Sequence, residues 1–307
     1  AFSSERKGLT KSLGTTNKFI KVVLPSHYYC FNMKAKTIEK ARYYKIPDRI
    51  VEEPKEVIVK NIRKKIELAV DNELISDVPV CTILSGGIDS VIITYLLSKK
   101  VKNLEAFVVS NGINERKKDD LYYARKAAEF MKIPLNEVII DDEYVMSNLR
   151  DTVYAVEDFK WVQVSPAVAQ LPMSKAIHEK GYKVVFGGEG SDEIFGSYGH
   201  IFAFKWRDED YHKARIDLID KLHEKNLVRT NKAMMYGGTV ELRTPFLDKD
   251  FVEYGLGIPP QYKKIDNHWK PLLREAFQDE IPDDILWRPK KTFQVGCHTD
   301  FLQDHKE

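Results

Sequence analysis

Apolar residues recur along this chain in two alternating textures: short runs of aliphatic residues, and longer stretches in which they return every three or four positions. The first texture predicts buried strands and the second amphipathic helices. Pro54 opens one such stretch at a helix N1 position, and Ile58, Ile62, Ile66 and Val70 follow at four-residue spacing on one face. Beyond it the pattern predicts strand 78–84, helix 89–100, strand 104–110, helix 116–132, strand 135–140, helix 142–156, helix 166–180 and strand 183–186. Helices dominate from about 198 onward. Alternation of this kind needs crossover connections, so the predicted fold class is α/β, a doubly wound, mostly parallel sheet with ligands at the carboxyl ends of its strands. Residues 1–50 read differently. The segments 19–24, 28–31, 37–38 and 41–44 are short candidate strands, too few to enclose a core, so a small β-rich amino-terminal piece is predicted ahead of a main domain over 51–307.

Composition narrows the classes of function. The chain has 307 residues, 43% of them hydrophobic, enough for a large core. Its 48 basic and 46 acidic residues leave a net charge of +2, which argues against a nucleic-acid partner, while the basic cluster at 288–291 keeps a small anionic ligand in view. Cys30, Cys81 and Cys297 are odd in number and lack Cys-x-x-Cys spacing, so they read as reduced thiols of a cytoplasmic protein. No apolar run approaches the ~20 residues that cross a bilayer, and the amino terminus does not read as a signal peptide. No membrane partner is expected.

Two glycine-rich corners carry the chemistry. After strand 78–84 come Ser85, Gly86, Gly87, Ile88, Asp89 and Ser90, a turn from strand into helix. Such a turn leaves backbone N–H groups unpaired and converging, with no Cβ in the way, which suits phosphate. The two hydroxyls would add donors, and Asp89, an anion among anion receptors, implies a divalent metal between itself and the phosphates. The alternative is a glycine-rich turn that merely fits a tight corner. No Gly-Lys-Ser/Thr follows, so this is not a Walker loop. The second corner follows strand 183–186 and holds Gly187, Gly188, Glu189, Gly190, Ser191, Asp192 and Glu193. Asp192 is a candidate to share the cation with Asp89, and Glu189 a candidate base or orienting group. Carboxylates at a solvated helix start are the plain alternative there.

Three later stretches, 241–248, 269–274 and 287–293, could each be helix caps or basic faces. Taken with the two corners in this order, they resemble the synthetase domain of the glutamine-dependent asparagine synthetase family over nearly all of 50–300. The motif at 85–90 resembles that family's PP-loop, 188–193 its second signature and 243–248 its third. The resemblance implies an ATP pyrophosphatase fold and magnesium-dependent adenylation: a carboxylate attacks the α-phosphorus of ATP, pyrophosphate leaves, and ammonia displaces AMP. It further implies that Ser85, Gly86, Gly87, Asp89, Ser90 and Gly188 bind nucleotide, that Leu84 and Val108 line the adenine and ribose pocket, and that Asp89 and Asp192 hold Mg2+. Lys270 would neutralise the adenylation transition state, Lys290 would hold pyrophosphate, and Glu189 would assist the attack of ammonia. The partners implied are a small carboxylate, most readily aspartate, and ammonia, with a homo-oligomer left open.

Residues 1–50 resemble, more faintly, the end of the glutaminase domain of that family, but residue 1 is Ala and no cysteine nucleophile lies near it. Either the glutaminase is a separate or missing part, or the protein takes ammonia or another amine directly, and the chain reads as cut at both ends. The segment 161–168 departs from the family, because no cation stands where its aspartate-binding arginine is usual, and that weakens aspartate as acceptor. The alternatives are a ligase for another carboxylate and an inactive ATP-binding scaffold. A tRNA-modifying PP-loop enzyme would want a basic surface, which this chain lacks.

Overall fold

The computed structural model describes residues 1–15, 17–112, 119–198, 208–224, 226–265, 268–289 and 299. The chain divides into two units, Ala1–Asp48 and Arg49–Glu307. In the smaller unit helix α1 (Arg6–Leu13) precedes an antiparallel hairpin of β1 (His27–Asn32) and β2 (Thr37–Arg42). Asn32 shapes the turn, its Oδ1 accepting the backbone N–H groups of Lys34 and Ala35 at 3.1 and 2.9 Å. Positions 19–24, expected as a strand, do not form one. Asn17–Phe19 is a single 3-10 turn, and Val22, Val23 and Leu24 are exposed at 48, 56 and 40%, an apolar run outside the hydrogen-bonded ladders.

In the larger unit, helix α2 (Lys55–Glu73) begins one residue after Pro54 and buries Ile58, Ile62, Ile66 and Val70 completely. Burial of this kind stabilises by about 1.5–3 kcal/mol per side chain. Strand β3 (Val80–Ile83) then leads to α3 (Ile88–Ser98), β4 (Ala106–Ser110) to α4 (Asp120–Met131), and β5 (Leu135–Ile139) to α5 (Asp142–Ser147) and α6 (Leu149–Val156). Helix α7 (Trp161–Glu179) returns the chain to β6 (Val184–Phe186) and α8 (Ser191–Phe195). After α9 (Asp208–Asp220) and α10 (Asn226–Gly238) come β7 (Glu241–Arg243), α11 (Lys249–Gly257), α12 (Pro271–Glu275) and α13 (Asp283–Leu286). The five strands β3–β7 form one parallel sheet in the order β5-β4-β3-β6-β7. The chain winds outward from β3 to β5 and then crosses back to β6 and β7. Its direction reverses between β3 and β6, the place where a doubly wound sheet opens a crevice beyond the carboxyl ends of its strands.

Elements of the larger unit also differ from the sequence reading. The stretch 142–156 is two helices, broken at Asn148, whose side-chain amide donates to the Tyr144 carbonyl at 2.8 Å. The helix expected over 166–180 begins at Trp161 and runs through Pro166 and Pro172. A proline inside a helix lacks the N–H that its ladder needs, so each frees a carbonyl four residues earlier. Strand β7 was not anticipated, because three residues at a sheet edge are too few to display a period. Among the described residues no helix is long and apolar enough to cross a membrane.

Candidate functional site

Both glycine corners leave the sheet at the reversal point, one from β3 and one from β6. At the first, Gly87 is extended and caps α3, and the Val91 N–H is the first of that helix to find a carbonyl, that of Gly87 at 2.9 Å. The N–H groups of Ile88, Asp89 and Ser90 thus project beyond the helix end, where an anion is favoured. The hydroxyls, expected as extra donors, are engaged within the loop instead. Ser90 Oγ donates to the Gly87 carbonyl at 3.0 Å, accepts the Ser85 N–H at 3.2 Å and lies 3.1 Å from Ser85 Oγ. Gly86 is needed for a different reason from close ligand approach. Its φ is +70°, and a Cβ there would sit 2.5–2.7 Å from Tyr123 and the Ala124 backbone nitrogen on α4. Arg288, read as part of a basic cluster, holds the same loop from behind: it donates to the Ser85 carbonyl at 2.7 Å, pairs with buried Asp120 and lies over the Tyr123 ring.

The second corner touches the first. A Cβ on Gly188 would come within 2.9 Å of the Asp89 carbonyl carbon and the Ser90 nitrogen, so only glycine lets the two loops meet. Their carboxylates converge on one cation. Lys270 Nζ lies 2.6 Å from both oxygens of Asp89 and 2.7 Å from Asp192 Oδ1, with 2% of its side chain exposed. Burial alone would lower the pKa of this ammonium, but Asp192 and Asp89 outweigh it and hold the group charged above its ordinary range. Lys270 sits in the left-handed region, φ 58°, immediately before α12. Arg274 braces that turn through the carbonyls of Trp269, at 2.9 Å, Leu286 and Arg288.

Glu189 lines the same cavity. Its carboxylate folds back over Gly187, where a Cβ would run into Oε2, and Oε2 is buried without a hydrogen-bond partner. Burial raises its pKa, Arg229 opposes the rise, and Glu193 and Asp89 add to it. Arg229, on α10, is partly buried, and desolvation of its guanidinium lowers its pKa to about 10. Its Nη1 donates to Asn226 Oδ1 at 3.3 Å and to the Val162 carbonyl at 3.5 Å, its Nη2 to Thr230 Oγ1 at 3.4 Å, and its Nε has no partner. The Val162 carbonyl is the one that Pro166 removes from the helix ladder. Gln170 Oε1 is likewise buried and unpartnered. Asn226 also joins Tyr198 and Glu193 in a chain of hydrogen bonds at 2.5–3.2 Å.

Ser85, Gly87, Asp89, Ser90, Gly188, Glu189, Asp192 and Lys270 all line this cavity of about 230 Å³, together with Gln170 and Arg229. Leu84 and Val108 do not. Both are buried, at 0 and 2%, near the carboxyl ends of β3 and β4, and the Leu84 N–H is spent on the Phe107 carbonyl at 2.9 Å. Gly86 lies behind the cavity, and Lys290 lies outside the described residues. Ser165, at the position lacking a cation, is buried and donates to the Thr299 carbonyl at 2.8 Å. The sequence reading missed Arg229 and Gln170. The signal for Arg229 was a cation on the face of α10 that continues into buried Thr230, Ala233 and Met234. For Gln170 it was an amide inside the buried run 163–171. Among the described residues no group of three or more His, Cys, Asp or Glu could hold a metal unaided. The pair Asp89 and Asp192 offers two hard oxygen donors already drawn to one positive charge, which suits a magnesium ion that takes its other ligands from phosphate and water.

The asparagine synthase family model matches residues 61–216 and 203–307. A probable asparagine synthetase (glutamine-hydrolyzing) of Schizosaccharomyces pombe is 33% identical over 312 residues, covering 92% of this chain and 55% of that protein. The nodule asparagine synthetase (glutamine-hydrolyzing) of Pisum sativum is 32% identical over 324 residues, covering 99% of this chain and 53% of the relative. The asparagine synthetase of Mesocricetus auratus is 30% identical over 338 residues, covering 100% and 60%. The chain thus spans little more than half the length of these relatives.

Proposed function

The chain belongs to the asparagine synthase family, and on that premise we propose that it is the synthetase part of an ATP-dependent amide-forming ligase. The observation that carries this reading is the meeting of the two corners at one cavity, lined both by the start of α3 with a charged lysine and by the Glu189 carboxylate with an arginine. The first pair of features suits a leaving pyrophosphate, on which negative charge grows as the α–β bond of ATP breaks. The second suits an acceptor. Asp89 and Asp192 would hold Mg2+, which when bound would supply further positive charge to the polyphosphate. Lys270 would meet the charge developing during adenylation. Glu189, hard to ionise where it lies, would take or orient a proton of the attacking ammonia.

Arg229 supports an anionic acceptor. It supplies a cation that 161–168 lacks, and its Nε, buried without a partner, can pair with a substrate carboxylate. Aspartate is the acceptor this favours. Residues 1–48 would be the end of a glutaminase-like part, with ammonia delivered from it. The test is pyrophosphate release by purified protein with magnesium ATP, ammonia and single carboxylic acids. Release that depends on aspartate, and that Asp89→Asn abolishes while leaving the circular dichroism intact, is expected. Release with another acid alone reassigns the acceptor, and absence of ATP binding reduces the chain to a scaffold.

A further inference from the structure

The position of Lys270 bears on how a divalent cation can enter the site. Its ammonium occupies the point at which Asp89 and Asp192 converge, with bonds of 2.6 Å to each oxygen of one and 2.7 Å to the other. It cannot easily swing aside. The residue is 2% exposed, its backbone is fixed at φ 58° ahead of Pro271, and Arg274 pins the preceding carbonyl. A divalent cation arriving alone would meet a fixed positive charge and carboxylates already engaged by it. A polyphosphate changes both terms at once. It gives the ammonium other anionic oxygens to pair with, releasing the carboxylates, and it brings ligands and negative charge for the metal.

We propose that Lys270 is a specificity-determining residue that makes Asp89 and Asp192 a divalent-cation site only in company with a polyphosphate, so that the protein selects the metal–polyphosphate pair and rejects free metal. This rests on the reading of the cavity as a nucleotide site. Because the coupling is a linkage, metal and polyphosphate must tighten each other by the same factor.

The experiment follows free Mn2+ by its electron paramagnetic resonance signal as protein is added, without nucleotide and with α,β-methylene-ATP, which cannot release pyrophosphate. Wild type is expected to take up Mn2+ at least about tenfold more tightly with the analogue than without it. Lys270→Met is expected to bind Mn2+ alone at least about tenfold more tightly than wild type does, and Lys270→Met with Asp192→Asn is expected to lose that gain. Equal Mn2+ affinity of the wild type with and without the analogue overturns the proposal, as does a folded Lys270→Met with no gain. Should Lys270→Met fail to fold, Lys270→Gln, which also removes the charge, is titrated in its place and decides by the same criterion. If a fluorescent form of the analogue binds neither with nor without Mn2+, the nucleotide reading falls, and the Lys270→Met titration with Mn2+ alone decides the role of the lysine separately.

Discussion

The two glycine corners are built alike and finished differently. At 85–90 the polar groups of the loop find partners inside the protein: Ser85 and Ser90 bond each other and the backbone, and Arg288 closes the loop from behind. At 187–193 buried polar atoms are left over, Glu189 Oε2 and Ser191 Oγ among them, and Arg229 Nε and Gln170 Oε1 face the same cavity. Buried polar groups are ordinarily satisfied, and each one that is not costs on the order of 1–3 kcal/mol. The first corner is therefore preorganised in the free protein. The second carries a deficit that a polar ligand would relieve.

The largest effect should come from unfastening the satisfied corner. Arg288→Met removes the guanidinium that pairs with buried Asp120 and holds the Ser85 carbonyl, and unfolding in urea should show a loss of about 3–5 kcal/mol. A loss below about 1 kcal/mol would mean that the corner is held by something else. At the unsatisfied corner the balance should invert. Gly187→Ala displaces the end of the Glu189 side chain and presses the end of Leu242, whose Cδ1 would lie 3.0 Å from the new Cβ, both flexible, so stability should change by less than about 1 kcal/mol, while the proposed amide formation falls on the order of a hundredfold. Equal damage to both would erase the distinction.

A subtler contrast lies in pH. A carboxyl whose folded-state pKa is raised binds its proton more tightly when folded. Its share of stability is present below its ordinary value and lost as pH rises through the folded one. Glu189 is such a group, so Glu189→Gln should gain in stability relative to wild type as pH climbs from 4 to 8, measured by thermal unfolding. A stability gap that stays constant over that range would show that the carboxylate is not strained by its burial.

The sheet and the two corners were legible because their signals are local. Apolar runs marked β3, β4 and β6, and paired glycines marked the turns. What the sequence concealed depends on distant pairings. Lys270 and Asp89 stand 181 residues apart, and only the fold brings them to 2.6 Å. Arg229 was hidden because nothing in its own helix says that it lines the same cavity as Glu189. Gly86 was assigned to the ligand when its neighbour is α4, since a glycine reports that space is scarce and not what fills it. The hydroxyls of Ser85 and Ser90 were given outward for a similar reason: spacing does not reveal which way a donor points.

Pro166 has a consequence for anyone who would engineer this protein for heat tolerance. Judged by propensity alone it is the first residue to replace, a proline five positions inside a long helix. Replacing it by alanine would mend the ladder by giving the Val162 carbonyl a new donor, in competition with Arg229. Helix repair here works against the anchoring of Arg229, the cation proposed to meet the acceptor, so a stabilising library should leave that proline untouched.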